Sequence, residues 1–422
     1  MTAFTKDDTI LFHVLSVPVR LSTVKYATFL LCGVSSLWPW NCFLSASDYF
    51  QDRFALKPSL SSNYSSTMMT ISTLTSTVCN YILSQRQKGV NYTKRLKMGN
   101  LIQIFIFFIM ALSIALPQSW VIFYFIFVMV NVAYTSIGSC LTQVGMMALV
   151  NIQGSWYANA TVVGNAIAGV LPSMAMIIAV LTSKEDLNTL SVEARSSEAI
   201  TYFLTSVLMA TAALASIWIM EYCERKIYNP DMNVSTEQFE NEFGESTPDD
   251  SVHVGFGQLW SKLNYVETTI MLTFSITLVF PVFASVVESS TIDKKVFIPL
   301  AFLVWNLGDL AGRILCAVPF FIVKSNRALL GYSLLRFLFV PLFMMCNIKG
   351  AGSTIGDFGY LMLQLLFGLT NGQLFSSSYM RVGQLLDNQE EQKAAAGFTA
   401  LIINISLLGG SLASFLVVWL CS

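Results

Sequence analysis

Charged residues are scarce in this sequence. Only 12% of the 422 residues are Asp, Glu, Lys or Arg, whereas soluble proteins carry about 25%. Hydrophobic residues make up 54% of the chain, and the mean hydropathy is +0.61. The formal net charge of −1 gives no sign of nucleic-acid binding. This composition predicts an all-α polytopic membrane protein rather than a soluble enzyme with an anchor.

Residues suited to metal, haem and nucleotide chemistry are also few. The two histidines, His13 and His253, fall outside the apolar runs, and the eight cysteines are scattered without a Cys-x-x-Cys pair. The sequence contains no Gly-Lys dipeptide, which excludes a Walker A loop and leaves no sign of ATP-driven transport. We therefore expect a protein that is not an enzyme and that needs no metal, no cofactor and no obligate protein partner.

Apolar runs long enough to cross a bilayer divide the chain into two groups. Six runs precede the polar, acidic segment 221–262 and five follow it, so eleven transmembrane helices in a 6+5 arrangement are predicted. The predicted domains are a tail over 1–24, a six-helix bundle over 25–220, a flexible linker over 221–262 and a five-helix bundle over 263–422. Most Lys and Arg residues lie in the tail and the even-numbered loops, which predicts a cytoplasmic N-terminus and linker and a luminal C-terminus.

The eighth run, from about 296 to 323, carries a polar stripe at membrane depth. Asp309 and Arg313 stand four residues apart on one helical face and can pair. A lone charge at this depth costs about 2.5 kcal/mol or more. Asn306 shares the face, and two glycines four residues apart would admit a second helix closely. Such residues indicate a substrate pathway, and a buried ion pair that only fixes helix packing is the alternative.

Two further runs carry unusual residues. The first contains Trp38-Pro39-Trp40-Asn41, in which the proline interrupts the backbone hydrogen bonds, so a binding site is indicated, with an interfacial aromatic belt as the alternative. The seventh, from about 266 to 287, contains Phe280-Pro281. Asp309 is the only acid that the sequence places at mid-membrane. Arg336, in the ninth run from about 329 to 346, has no evident partner, and we expect a structural role for it near the cytoplasmic face.

These motifs resemble, in order along the chain, those of the equilibrative nucleoside transporter family, and most closely its fungal vacuolar members. The similar segments are Leu37-Trp38-Pro39-Trp40-Asn41 in the first span, Gln143 in the fourth, Asn306, Asp309 and Arg313 in the eighth, Arg336-Phe337-Leu338-Phe339-Val340-Pro341 in the ninth, and Thr370-Asn371-Gly372 in the tenth. The resemblance covers about residues 25–420. It implies a major-facilitator-like fold with one helix missing, alternating access between two halves, and a vacuolar or lysosome-like membrane.

The resemblance also implies a role for each matching residue. Trp40 and Leu44 would contact the base, Gln143 would hydrogen-bond to it, and Asp309 and Arg313 would hold the ribose hydroxyls or the base edge, with Asn306 beside them. The sequence has Leu44 where methionine is familiar in animal members, and Ser139 where glycine is familiar. Base preference and inhibitor sensitivity therefore do not carry over from those members.

The chemistry of the residues agrees with a nucleoside, which is a flat aromatic ring joined to a polyol. An apolar wall is available from Trp40, Leu44 and Phe280. Gln143 and Asn306 offer donors and acceptors, and a balanced Asp309–Arg313 pair suits a neutral ligand. The expected function is facilitative transport of nucleosides and nucleobases across a lipid bilayer. The alternatives are a proton-coupled nucleoside symporter with Asp309 as the proton carrier, and a receptor or scaffold that does not transport.

Overall fold

The structure is a computed structural model. It describes residues 9–14, 17–117, 119–182, 192–228, 253–278, 283–284, 286–289, 291–348, 350, 352 and 354–420. Before the polar linker, the helices are α1 (Leu21–Ser45), α2 (Ser47–Arg53), α3 (Pro58–Gln85), α4 (Tyr92–Ser113), α5 (Val121–Gln153), α6 (Ser155–Thr182) and α7 (Val192–Tyr228). After the linker, they are α8 (Phe256–Thr277), α9 (Lys294–Leu315), α10 (Asn326–Leu335), α11 (Phe339–Met344), α12 (Asp357–Val382) and α13 (Gln389–Leu420). Short 3-10 helices cover Pro319–Phe321, Arg336–Leu338 and Gly383–Leu385.

Long apolar helices dominate the described residues. Eight segments are long and apolar enough to cross a membrane: Leu21–Ser45, Tyr92–Ser113, Val121–Gln153, Ser155–Ile178, Arg195–Ile227, Lys294–Leu315, Asn326–Met344 and Gln389–Gly410. Three more helices, α3, α8 and α12, have 28, 22 and 26 residues but a more polar composition. All of these segments are long enough to cross the hydrocarbon core, which takes about 20 residues.

The helices form two groups that meet along a shared interface. In the first half, α1 packs against α6 and α7, and α4 packs against α5. In the second half, α9 packs against α12, and α8 packs against α13. Between the halves, α6 lies against α9, and α13 lies against α3 and α5. Residues of α6 and α9 that face each other are therefore placed where the two halves meet.

The α9–α12 crossing depends on four glycines. A Cβ atom at Gly308 or Gly312 would collide with a backbone carbonyl of α12, and one at Gly368 or Gly372 would collide with a backbone carbonyl of α9. Small residues at four-residue spacing allow such close contact in membrane helices. This contact fixes the position of the polar stripe of α9 relative to α12.

Prolines explain why the helices of the eighth and ninth predicted spans differ from the prediction. The eighth was expected to reach residue 323, but α9 ends at Leu315. Pro319 lacks an amide hydrogen and disfavours helix at the residue before it, so the chain turns there. The ninth span is broken into α10, a 3-10 turn and α11, which contains Pro341.

The broken ninth span places Arg336 in the middle of the 326–344 segment, so the expectation of a position near one face was wrong. Its guanidinium donates 3.3 Å hydrogen bonds to the carbonyls of Thr273 and Phe367 and lies 4.7 Å from the Phe367 ring centroid. The side chain is buried. These contacts tie α8 and α12 to the broken helix, which is a structural role.

Helix α8 begins at Phe256, well before the predicted start at 266. Glu267 consequently lies in the middle of the helix and is fully buried. Glu267 is thus a further buried acid within a long helix, in addition to Asp309. Helices also occupy both ends of the predicted 221–262 linker, since α7 reaches Tyr228, while residues 229–252 lie outside the described residues.

Near the N-terminus, an antiparallel hairpin of β1 (Ile10–Val14) and β2 (Val17–Arg20) precedes α1. It lies within the predicted 1–24 tail, for which no helix or strand was predicted. The hairpin leads directly into α1, because β2 ends at Arg20 and α1 begins at Leu21.

Candidate functional site

The predicted pair on α9 is formed. Arg313 Nη2 lies 2.8 Å from Asp309 Oδ2, and both side chains are almost completely buried. The other carboxylate oxygen accepts a 2.7 Å hydrogen bond from Asn371 Nδ2 of α12. Asn371 Oδ1 in turn accepts a 2.7 Å bond from the Thr277 hydroxyl of α8. The carboxylate therefore has a donor at each oxygen, and three helices of the second half hold it in place.

Arg313 also reaches across to the first half. Its Nη1 donates a 2.7 Å hydrogen bond to the carbonyl of Val162 on α6. The guanidinium carbon lies 5.1 Å from the centroid of the Phe375 ring of α12, close enough for a cation–π interaction. A single side chain thus joins the ion pair, an aromatic ring and the backbone of the opposite half.

Asn306 makes a second connection between the halves. Its Nδ2 donates to the Ser173 hydroxyl of α6 and to the Phe302 carbonyl, each at 2.9 Å. Gly169 of α6 faces its amide oxygen, and a Cβ atom at Gly169 would lie 2.8 Å from that oxygen. The polar stripe of α9 therefore lies against α6 at two levels, Asn306 at one and Arg313 at the other.

A cavity of about 360 Å³ opens beside Ser173, at the end of the bundle where α1 ends and α7 begins. Its walls come from α1, α2, α6 and α7 of the first half and from Phe302 of α9. Its lining mixes apolar side chains such as Leu44 and Met176 with polar ones such as Asn41, and Asp48, Arg195 and Glu198 add charges. Asn41 is held by a 2.8 Å hydrogen bond from its Nδ2 to the Ala168 carbonyl. A flat ligand with both apolar and polar edges matches this lining in chemistry and size.

The predicted site residues are only partly brought together. Leu44 lines the cavity, which reaches Asn306 through Ser173. Trp40 lies one turn along α1 from Leu44, half-buried against the apolar core of the first half. Gln143 is half-buried on α5, and within the described part of the chain no hydrogen bond links it or Trp40 to the polar stripe. Phe280 lies outside the described residues.

Several site residues were not predicted from the sequence. Asn371 belongs to the Thr370-Asn371-Gly372 motif, which offered a signal for it. Ser173 and Phe302 carried no signal, because only the packing of α6 on α9 makes them neighbours. Trp38, in contrast, belongs to a segment for which a binding site was indicated, but it does not line the cavity. Its indole donates a 3.1 Å hydrogen bond to the Thr205 hydroxyl of α7.

The opposite end of the bundle is held together by polar contacts between the halves. Asn151 Nδ2 at the end of α5 donates a 3.0 Å hydrogen bond to the Gln392 carbonyl of α13. The Gln392 amide donates to the Gly383 carbonyl at 3.0 Å, and Gly383 packs directly on the backbone of Asn151. A cavity of about 200 Å³ lies here, smaller than the 360 Å³ cavity beside Ser173.

Comparison with known proteins adds sequence evidence. Residues 129–419 match the family model described as Nucleoside transporter. Nucleoside transporter FUN26 of Saccharomyces cerevisiae is 34% identical, over 95% of this chain and 85% of its own length. Equilibrative nucleoside transporter 2 of Homo sapiens is 24% identical, over 92% of this chain and 95% of its own length.

Solved structures resemble this fold at low sequence identity. The proton:xylose symporter XylE, a major facilitator superfamily protein, has a TM-score of 0.61 at 13% identity, covering 93% of this chain and 87% of its own. A bacterial homologue of ferroportin in an outward-facing state also scores 0.61, at 14% identity and 96% coverage of both chains. These likenesses show a major-facilitator-like fold.

Proposed function

We propose a transport cycle for this chain, which belongs to the nucleoside transporter family. It is a multi-pass membrane protein with an all-helical, major-facilitator-like fold, and it is a transporter and not an enzyme. Its substrates are nucleosides, which it moves by facilitated transport. The observation that supports this function most strongly is the polar stripe of α9, which begins beside the cavity at Asn306 and contacts the opposite half at Asn306 and Arg313.

The proposed topology has eleven spans, six in the first half and five in the second. In the second half, α10 and α11 act as one span interrupted by the 3-10 turn at Arg336–Leu338. The distribution of Lys and Arg supports a cytoplasmic N-terminus and linker and a luminal C-terminus. With that orientation, the larger cavity faces the lumen and the Asn151–Gln392 contact closes the cytoplasmic side.

The cycle is alternating access between the two halves. In the lumen-facing conformation, a nucleoside enters the 360 Å³ cavity, and its base rests against the apolar side chains of Leu44, Met176 and Phe302. Its polar edge reaches Asn41 and Ser173. Because Asn306 already bonds the Ser173 hydroxyl, a ligand hydroxyl or base edge can replace that partner without leaving the amide unsatisfied.

The ion pair acts at the next stage. Asp309 and Arg313 lie farther along α9 from the cavity than Asn306 does. They become available to the ribose or base when α6 and α9 move apart. Arg313 then exchanges the Val162 carbonyl for a ligand oxygen, and Asp309 accepts a ligand hydroxyl or N–H. Trp40, Gln143 and Phe280 complete the proposed site by the family resemblance.

The proposal extends to the range of substrates and to the membrane. Nucleobases share the flat ring and hydrogen-bonding edge of nucleosides, so we include them as substrates. The resemblance to fungal vacuolar members supports an internal membrane, the vacuolar or a lysosome-like one, and a fluorescently tagged protein found only at the plasma membrane would refute that location while leaving the transport function intact.

Uptake of radiolabelled uridine and adenosine into proteoliposomes tests the function. Purified protein should move both down their gradients with the same pH on each side, and protein-free vesicles supply the background. Uptake that requires a pH gradient would replace facilitation with proton coupling. Folded protein that moves no nucleoside or nucleobase would refute the proposal.

A further inference from the structure

Glu267, in the middle of α8, is a buried acid outside the proposed site. Its side chain is fully buried. The Thr399 hydroxyl of α13 donates a hydrogen bond to Oε1. The other oxygen, Oε2, is buried and has no hydrogen-bond partner among the described residues. The transport cycle proposed above gives this carboxyl no task.

The other buried acids of the described chain each have a cation. The pairs are Asp309 with Arg313 at 2.8 Å, Glu224 with Lys25 at 3.0 Å, and Glu391 with Lys262 at 2.7 Å. Buried carboxylates are normally paired in this way, because an isolated buried charge is strongly disfavoured. Glu267 departs from that rule.

No group on the surrounding elements supplies the missing cation. Helix α8 packs against α10, α12, α13 and the 3-10 turn that holds Arg336. The titratable and charged groups of these elements, and of α8 itself, are Arg327, Tyr332, Arg336, Asp357, Tyr360, Tyr379, Arg381, Glu390, Glu391, Lys393, Lys262 and Tyr265. Within the described residues none of them bonds to Glu267. Lys262 of α8 is paired with Glu391, and Arg336 of the 3-10 turn donates to the Thr273 and Phe367 carbonyls.

Helix α13 connects this carboxyl to the interface between the halves. It carries Thr399 and packs against α3 and α5 of the first half. At the neighbouring Gly397, the backbone lies directly on Ser84 of α3, so closely that a Cβ atom would clash. Helix α13 therefore contacts both Glu267 and the first half, so a relative motion of the halves acts on the helix that holds this carboxyl.

We propose that Glu267 is a proton-binding site through which pH controls the rate of nucleoside transport, an inference that rests on the proposed function. In the conformation described here the carboxyl carries a proton. When the halves move and water reaches α8, the proton passes to water, and the resulting carboxylate favours the hydrated arrangement over the sealed one. Proton binding and the conformational step are thus linked.

The test is uridine uptake into proteoliposomes with equal pH on both sides, measured from about pH 5 to about pH 9. The rate of the parent should change severalfold across this range, whereas that of Glu267→Gln, which keeps the shape of the neutral acid, should change less than about twofold. Glu288→Gln is the matched control, because Glu288 is partly exposed and paired with Lys294, and it should keep the parent profile.

A Glu267→Gln profile that superimposes on the parent profile overturns the proposal, and so does parent uptake that is present but independent of pH. Absence of uptake at every pH refutes the proposed function itself. If Glu267→Gln is not monodisperse, Thr399→Val serves instead, because it keeps the carboxyl and removes the one hydrogen-bond donor that it has among the described residues. That variant should displace the pH profile, and an unchanged profile would again overturn the proposal.

Discussion

Arg313 donates a 2.7 Å hydrogen bond to the carbonyl of Val162, and this bond joins α9 of the second half to α6 of the first. The same guanidinium is paired with Asp309. A ligand that takes over either partner of Arg313 therefore also alters a contact between the halves. This geometry gives a physical route from substrate binding to conformational change, because the binding group and the interface contact are one side chain.

The ion pair should be needed for substrate binding, and the effects of its loss should not add. Asp309→Asn removes the negative charge, and Arg313→Lys keeps the positive charge but loses the planar arrangement of donors. Each variant removes a ligand-binding group or its geometry and should lose at least about tenfold in uridine affinity, and any folding cost of the altered pair shows separately as a lower melting temperature. The double variant should be little worse than either single one. Scintillation-proximity binding on monodisperse protein measures this.

The control for the pair is Lys294→Gln, which breaks the partly exposed Glu288–Lys294 pair. Exposed pairs contribute about 0–1 kcal/mol, so its uridine affinity should match the parent. Folded Asp309→Asn and Arg313→Lys variants with parental affinity would show that the pair only fixes helix packing. Trp40 and Gln143 would then be the leading binding residues.

The glycine contact between α9 and α12 should be intolerant of added volume. In Gly372→Ala the new methyl group meets the Asp309 carbonyl. Such overpacking costs about 1–3 kcal/mol and should lower the melting temperature and displace the carboxylate. Gly331→Ala on α10 is the matched control, because its Cβ would meet open space. Equal melting temperatures for the two variants would contradict the described crossing.

The Asn151 contact should hold one end of the bundle closed. Asn151→Ala removes its hydrogen bond to the Gln392 carbonyl, which is worth about 0.5–1.5 kcal/mol, and should shift the population towards opening at that end. Double electron–electron resonance between spin labels at the exposed positions Lys88 and Arg327 should then show longer distances than in the parent protein. Asn404→Ala, which loses a bond only within α13, is the control. Identical distance distributions in both variants would show that the Asn151 contact does not hold this end of the bundle closed.

The centre of the linker should be dispensable, but its C-terminal end should not. Deleting residues 232–250 should leave uridine uptake near the parental rate, because that segment is polar and cannot form a core. Deleting residues 253–262 should abolish it. That deletion removes the two hydrogen bonds between Gln87 and Val254 and the pairing of Lys262 with Glu391. Strong loss of uptake in monodisperse protein after the first deletion would show that the linker takes part in the cycle.

Sequence reasoning was most accurate where the determining contact is local. The Asp309–Arg313 pair follows from four-residue spacing on one helix, and it is present. The bond from Asn371 to Asp309 joins residues far apart in sequence, and only the packing of α12 on α9 reveals it. Ser173 and Asn306 are a similar case on α6 and α9.

The burial of Glu267 was not predicted, for a different reason. An apolar run marks the hydrocarbon-facing part of a helix, whereas the first ten residues of α8 mix polar and apolar side chains, and Glu267 lies on its protein-facing side. Hydropathy therefore placed the start of the span near residue 266 and Glu267 at its end. Burial against α13 is a tertiary property that the sequence pattern does not contain.

Counterflow tests the central claim most directly. Proteoliposomes loaded with unlabelled uridine and diluted into trace radiolabelled uridine, with no ion gradient, should accumulate label transiently above its equilibrium level. A carrier with one site exposed alternately to each side must do this, and Asp309→Asn should not. Label that never rises above equilibrium in vesicles of folded parent protein, for any nucleoside, would contradict facilitated transport by alternating access.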